Sequence, residues 1–209
     1  MLQFQRLWQK IRYNSISRLI HDGLIKIGIN ITLFYLVEEG LHLQPAPFEG
    51  IQFSDYSIEF LKEDGLDIIC SVPERPYKKE FLINRMEKGC SCLVVSKDHK
   101  LIGYTWFNVS ECTFDGYRFA LKENEAYLFD AYILIEHRGK KIGPFIRYQC
   151  YKELNNLNKT TLYSISDSLN KQSIRFKEKL NAKFLLLGLY ICLFNKIKFS
   201  RQIKLYEPG

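Results

Sequence analysis

The segment Ile133-Leu134-Ile135-Glu136-His137-Arg138-Gly139-Lys140-Lys141-Ile142-Gly143-Pro144 reads as a strand, a compact basic turn and the start of a helix. Apolar positions at Ile142, Ile146, Cys150, Leu154 and Leu157 keep helical spacing beyond it. A helix N-terminus carries unpaired N–H groups and a partial positive charge, so this arrangement suits a pyrophosphate cradled by backbone amides. Gly139 and Gly143 permit close approach, Lys140 and Lys141 add charge, and Pro144 costs little because a first-turn N–H lacks an intrahelical partner. Just upstream, Asp130 interrupts the apolar run Tyr127-Leu128-Phe129-Asp130-Ala131-Tyr132-Ile133. A charge at such a position is costly unless it has a partner or a proton to move. Asp130 is therefore either a general base or a structural carboxylate, held in an ion pair or at a hydrogen-bonded edge position.

These groups need a strand before the turn and helices after it, and the pattern supplies both. The clearest β signal is a hairpin over 91–109, with strands at 92–96 and 101–107 around the polar turn Lys97-Asp98-His99-Lys100. Residues 110–124 read as an extended connection, and 125–135 as the strand that enters the basic turn. After the helix from 142, residues 160–166 read as a strand, and Leu169, Ser173, Phe176 and Leu180 keep helical spacing to Asn181. Residues 184–194 and 198–205 read as two last strands joined around Asn195-Lys196. From 91 onward the order is β-β-β-α-β-α-β-β. Upstream, 77–88 reads as a helix stopped by Gly89, Pro45 and Pro47 mark a loop, and 24–37 is extended after a break at Asp22-Gly23. Residues 2–20 read as an amphipathic basic helix on the spacing of Phe4, Leu7, Trp8 and Ile11.

In this order, and in two motifs, the chain resembles the GNAT family of acyl-CoA-dependent N-acyltransferases. The first motif is the family's Arg/Gln-x-x-Gly-x-Gly/Ala turn, in which Arg138, Ile142 and Gly143 fit and Lys141 stands where the first glycine is usual. A lysine there is compatible with a helical backbone, which leaves its N–H able to point at phosphate. The second is the helix after the fifth strand, matched in part by Asn170, Ser173 and Lys179-Leu180-Asn181-Ala182. The resemblance covers roughly 78–207. It implies an α/β (α+β) fold with a mixed, mainly antiparallel central sheet flanked by helices, and acetyl-CoA as co-substrate. It implies contacts to that co-substrate from Ile133, Ile135, Arg138, Gly139, Lys140, Lys141, Ile142, Gly143, Asn170 and Ser173, with the N–H of Ile133 or a neighbour on the acyl carbonyl. Where the family often places a tyrosine that protonates the departing thiolate, Lys177 stands. Lys177 is thus a catalytic candidate beside Asp130, with Tyr132, Tyr163 or unaided departure as alternatives. Residues 1–40, an N-terminal helix and extended segment packed on a 41–209 transferase domain, match no common part of the family pattern.

Composition narrows the remaining choices. Thirty Lys+Arg against 23 Asp+Glu give +7, which favours anionic ligands without marking a nucleic-acid-coating protein. The six cysteines show no C-x-x-C spacing, so neither a disulfide scaffold nor a metal site is expected. The four histidines are scattered. The apolar run at 24–37 contains Lys26 and Asn30 and is shorter than the ~20 residues a spanning helix needs. A cytoplasmic enzyme with a small amine acceptor is the reading, and a homodimer is one assembly open to it. An amino sugar or sugar nucleotide suits the basic N-terminus, while a cationic amine suits 38–87, with its eleven acidic and five basic residues. Aminoacyl or longer-acyl transfer on the same fold, and a non-catalytic CoA-binding module, are the alternatives.

Overall fold

Local sequence decides most of the elements, and pairing over long distances decides their order. The computed structural model describes residues 16–43 and 55–206. Its elements are α1 (Ile16–Lys26), β1 (Ile29–Glu39), β2 (Tyr56–Phe60), α2 (Asp67–Cys70), α3 (Lys79–Glu87), β3 (Cys90–Lys97), β4 (Lys100–Asn108), β5 (Glu111–Phe114), β6 (Tyr117–Ala120) and β7 (Glu125–Ile133). They continue with α4 (Ile142–Asn156), β8 (Thr161–Asp167), α5 (Lys171–Lys179), β9 (Lys183–Leu193) and β10 (Ile197–Leu205). The expected α/β fold with a mainly antiparallel sheet is present.

Several boundaries move. Helix α1 runs through Asp22-Gly23 and ends at Lys26, because the left-handed turn falls at Gly28, where φ is +80°. The connection expected over 110–124 is a hairpin, β5–β6, turning at Asp115-Gly116. Strand β2 and helix α2 are additions to the expected order. The predicted loop at Pro45 and Pro47, and residues 2–15 of the helix predicted over 2–20, lie outside the described residues.

One sheet holds eight strands in the order β10-β9-β1-β8-β7-β4-β3-β2. All neighbours are antiparallel except β7 and β8. Residues 1–40 thus contribute an interior strand, β1, to the same sheet that carries 41–209. Phe34 of β1 meets β8 at Asp167 and β9 at Gly188. A Cβ on Gly188 would lie 2.3 Å from the Phe34 ring, so the missing side chain is what lets that ring lie flat on the sheet.

Strand alternation divides the core between two faces. Ala126 and Leu128 of β7 pack with Cys150, Tyr151 and Leu154 of α4, whereas Tyr127 and Phe129 join the β5–β6 hairpin and Phe34. Helices α2 and α3 supply Ile69 and Leu82 to a cluster with Tyr104 and Trp106 of β4. At one end, Ile197, Phe199, Ile203 and Leu205 of β10 are exposed.

Candidate active site

Two irregularities in β7 open the sheet. Tyr132 pairs with Tyr104 and Phe129 with Trp106, so Asp130 and Ala131 together oppose Thr105 in a β-bulge, with Asp130 at φ +46°. On its other side β7 pairs with β8 only from Glu125↔Thr161 to Leu128↔Ser164. Residues 129–133 and 165–167 then diverge and line a cleft of about 710 Å³. The Leu134 N–H bonds back to Ile102 O of β4 at 3.0 Å, so by strand alternation the N–H and C=O of Ile133 point the other way, into the gap. Arg138 Nε donates to that Ile133 carbonyl at 3.0 Å, and the Arg138 guanidinium covers the Tyr132 ring.

The basic turn stands at the mouth of this gap. Ile135 lies beyond the strand, in a 3-10 turn over Ile135–His137 that leads to Arg138. Gly139 has φ +81° with open space around it, and Lys140 is exposed. Lys141 caps α4 without a side-chain hydrogen bond and has φ 59°, ψ 13°. The expectation of a helical backbone at Lys141 is corrected: it takes the left-handed conformation that glycine adopts at little cost and a lysine only with strain. The Ile142 side chain is buried in the core, leaving its backbone as the part facing the turn. A Cβ on Gly143 would touch Phe176 of α5 at 3.4 Å. Of the anticipated contact residues, Ile133, Arg138, Gly143, Asn170 and Ser173 line the cleft, whereas Ile135, Gly139, Lys140, Lys141 and Ile142 do not. Asn170 accepts from the Ser173 N–H as the N-cap of α5, and Ser173 Oγ lies 2.6 Å from Ser166 Oγ.

A buried ionic cluster lies behind the gap. Glu39, at the end of β1, is 0% exposed, Arg147 of α4 is 5% and Lys177 of α5 is 2%. Arg147 Nε lies 3.2 Å from Glu39 Oε2, and Tyr151 and Ser164 donate their hydroxyls to the same carboxylate. Burial alone would raise the Glu39 pKa, but the Arg147 and Lys177 charges and these hydroxyls hold it below the ordinary value. Lys177 Nζ has no hydrogen-bond partner among the described residues, and its side chain lines the cleft. Burial pulls its pKa down to about 7, against the pull of Glu39 and with the push of Arg147. Neither Glu39 nor Arg147 stands out in sequence, because the meaning of each charge depends on partners more than a hundred residues away.

Asp130, the other candidate, is engaged on both oxygens. Arg75 Nη2 bonds Oδ1 at 2.5 Å, Arg85 Nη1 bonds Oδ2 at 2.6 Å, and Tyr77 OH donates to Oδ2 at 2.9 Å. With both oxygens committed to these donors, the carboxylate is held as the ion-pair alternative describes, at the bulge it helps to fix. Of the alternative acids, Tyr132 lines the cleft, while Tyr163 donates to Glu125 and lies away from it, its hydroxyl pushed by burial up to about 12. The far end of the cleft carries His21, Asn30, Thr32 and Asp115. No group of His, Cys, Asp and Glu able to hold a metal occurs among the described residues, and no described helix is long and apolar enough to cross a membrane.

Residues 56–182 match the Acetyltransferase (GNAT) family. No curated protein matches the chain. Among solved structures, a GCN5-related glucosamine N-acetyltransferase region of a fungal multi-domain beta-N-acetylglucosaminidase superposes with TM-score 0.58 at 15% identity, over 86% of this chain and 23% of that one. A functionally unknown conserved protein from Staphylococcus epidermidis gives 0.56 at 12% identity, over 86% and 68%. A GNAT-family acetyltransferase from Novosphingobium aromaticivorans gives 0.54 at 13% identity, over 79% and 66%. At these identities the likeness concerns the fold.

Proposed function

The chain belongs to the GNAT acetyltransferase family, and on that premise we propose that it moves an acetyl group from acetyl-CoA to the amine of a small acceptor, an amino sugar first among them. The observation that carries this reading is the β7/β8 gap, with a donor aimed into it at Ile133 and, lining it, a lysine that has no hydrogen-bond partner among the described residues. The residues present fit the co-substrate. The N–H groups at the start of α4, with Gly139, Lys140 and Lys141, suit its pyrophosphate, and Arg138 and Gly143 border the path from there into the gap. Asn170 and Ser173 line the facing wall. The thioester supplies an activated acyl group, so the chain's own residues have only to orient it, polarise its carbonyl and manage protons.

The Ile133 N–H is the donor for the carbonyl oxygen. Lys177 is the acid: with a pKa of about 7 it is half protonated at neutral pH and strong enough to protonate a thiolate whose thiol has pKa ~8.5. Its burial in the cleft supports a working group over a relic of lost catalysis. The fungal neighbour is named for glucosamine acetylation, which agrees with an amino-sugar acceptor. The test is twofold. Acetyl-CoA should raise the melting temperature by mass action, and free thiol should appear when an amine panel is added. Absence of both responses overturns the reading.

A further inference from the structure

The end of the cleft away from the basic turn is built by residues of α1 and β1, outside 56–182, together with the tip of the β5–β6 hairpin and the end of β8. Asn30 of β1 bonds Asp115 at that tip. A carboxylate only accepts, so Asn30 turns its amide nitrogen to Asp115 and its oxygen the other way. That oxygen receives the Thr32 hydroxyl at 2.7 Å and faces His21 Nε2 at 3.2 Å. Nε2 therefore carries the proton, and Nδ1 holds a lone pair. His21 is 8% exposed, and its Nδ1 has no partner among the described residues although the side chain lines the cleft. A buried imidazole whose tautomer is fixed from behind and whose other nitrogen meets no partner among the described residues is set to receive a proton from a ligand.

We propose that this end is the acceptor site, that His21 Nδ1 takes a proton from the acceptor's ammonium group, and that the site takes cationic, unphosphorylated amines. The inference rests on the acetyltransferase reading above. Asp115 and Asp167, close enough to act on each other electrostatically, are the charged residues that β1, β8 and the hairpin bring to the cleft, and none of these elements brings a cation. This disfavours a sugar nucleotide, whose diphosphate would meet two carboxylates. In the step itself the N–H bond breaks, the nitrogen keeps the electron pair, and the imidazolium later passes its proton to water. The freed pair forms the C–N bond as the C–S bond breaks toward sulfur. Lys177 gives sulfur a proton, and the nitrogen's second proton makes good that loss, so one proton is released per turnover. Asn30 and Asp115 are positioning residues.

The experiment compares the whole chain with His21→Gln, in which the Gln amide nitrogen keeps the bond to Asn30, and measures kcat/KM for glucosamine from pH 6.5 to 10. The expected loss is ~10-fold at pH 6.5, where the acceptor is almost all ammonium, and it closes above pH 8, because the neighbouring oxygens draw glucosamine's ammonium well below the ~10 of a simple alkylammonium, with the acetyl-CoA thermal shift kept. A loss constant across pH, or none, overturns the role of His21. On the unmodified protein, glucosamine 6-phosphate should be at least ~10-fold poorer than glucosamine, and Asp115→Asn should reduce that preference. A preference for the phosphorylated acceptor overturns the assignment while leaving acetyl transfer standing. Absence of the acetyl-CoA shift in the unmodified protein overturns both.

Discussion

Asp130 and Glu39 are each met by two cations, and the two clusters resolve the surplus positive charge differently. Around Asp130 both cations are arginines, with side chains 35% and 19% exposed. Water reaches them, and the Arg85 guanidinium lies over Phe81 and Trp106 besides. The surplus charge stays where it is. Around Glu39 every member is buried, so the surplus has no water to share it. An arginine cannot give up its proton, but a lysine can. Burial, helped by Arg147 and opposed by Glu39, therefore lowers the pKa of Lys177. The same charge count makes a structural clamp where solvent enters and a lysine of lowered pKa where it does not.

Glu39→Gln should disturb this contrast most. It leaves Arg147 buried without a counter-charge, at a cost of about 3–5 kcal/mol, readable as a lower denaturant midpoint with an unchanged slope. Turnover should fall with it, since the charge that favours a protonated Lys177 is gone. A midpoint close to that of the parent would mean that the buried cluster does not hold its charges as described.

Lys177→Met should separate activity from stability. Turnover falls by ~10²-fold or more, while the fold at pH 7 gains, because Glu39 and Arg147 then balance. The sign follows from the two states: unfolded, the lysine keeps its proton to about 10.5, and folded only to about 7. Between those values unfolding takes up a proton, so the parent's stability rises with pH. The variant should lose that rise. A parent whose melting temperature is flat over this window would place Lys177 among ordinary lysines.

The smallest effect is expected from Asp130→Asn, about 1–2 kcal/mol, because water shares the load on Arg75 and Arg85. Activity should drop with the bulge geometry, by a factor that does not vary with pH. A loss that shrinks at high pH would restore Asp130 as a base.

The β3–β4 hairpin and the strand, turn and helix from 125 to 156 were legible because local spacing and turn residues specify them. Strand β2 was not: Tyr56–Phe60 has no buried residue to mark an inward face. The β5–β6 hairpin has strands of four residues, too short for alternation to show. In the site, the basic turn was readable from glycine and charge, and Lys177 through the family's helix. His21 and Glu39 were not, since a lone histidine or glutamate acquires a role only from what β1 brings beside it. The left-handed backbone at Lys141 was missed because nothing in the side chain announces it.

The place of β1 between β8 and β9 also sets an order of events during synthesis. Phe34 leaves the ribosome more than a hundred residues before Asp167 and Gly188, the positions it finally lies between. Strands β2, β3, β4 and β7 can pair as they are made, but β1 must wait with both edges open until β8 and β9 arrive. Closure of the sheet is thus a late, long-range step, slow by the rule that links contact distance to rate. In that interval Ile29–Glu39 is an unpaired strand rich in apolar residues, with both edges open to pairing with other chains.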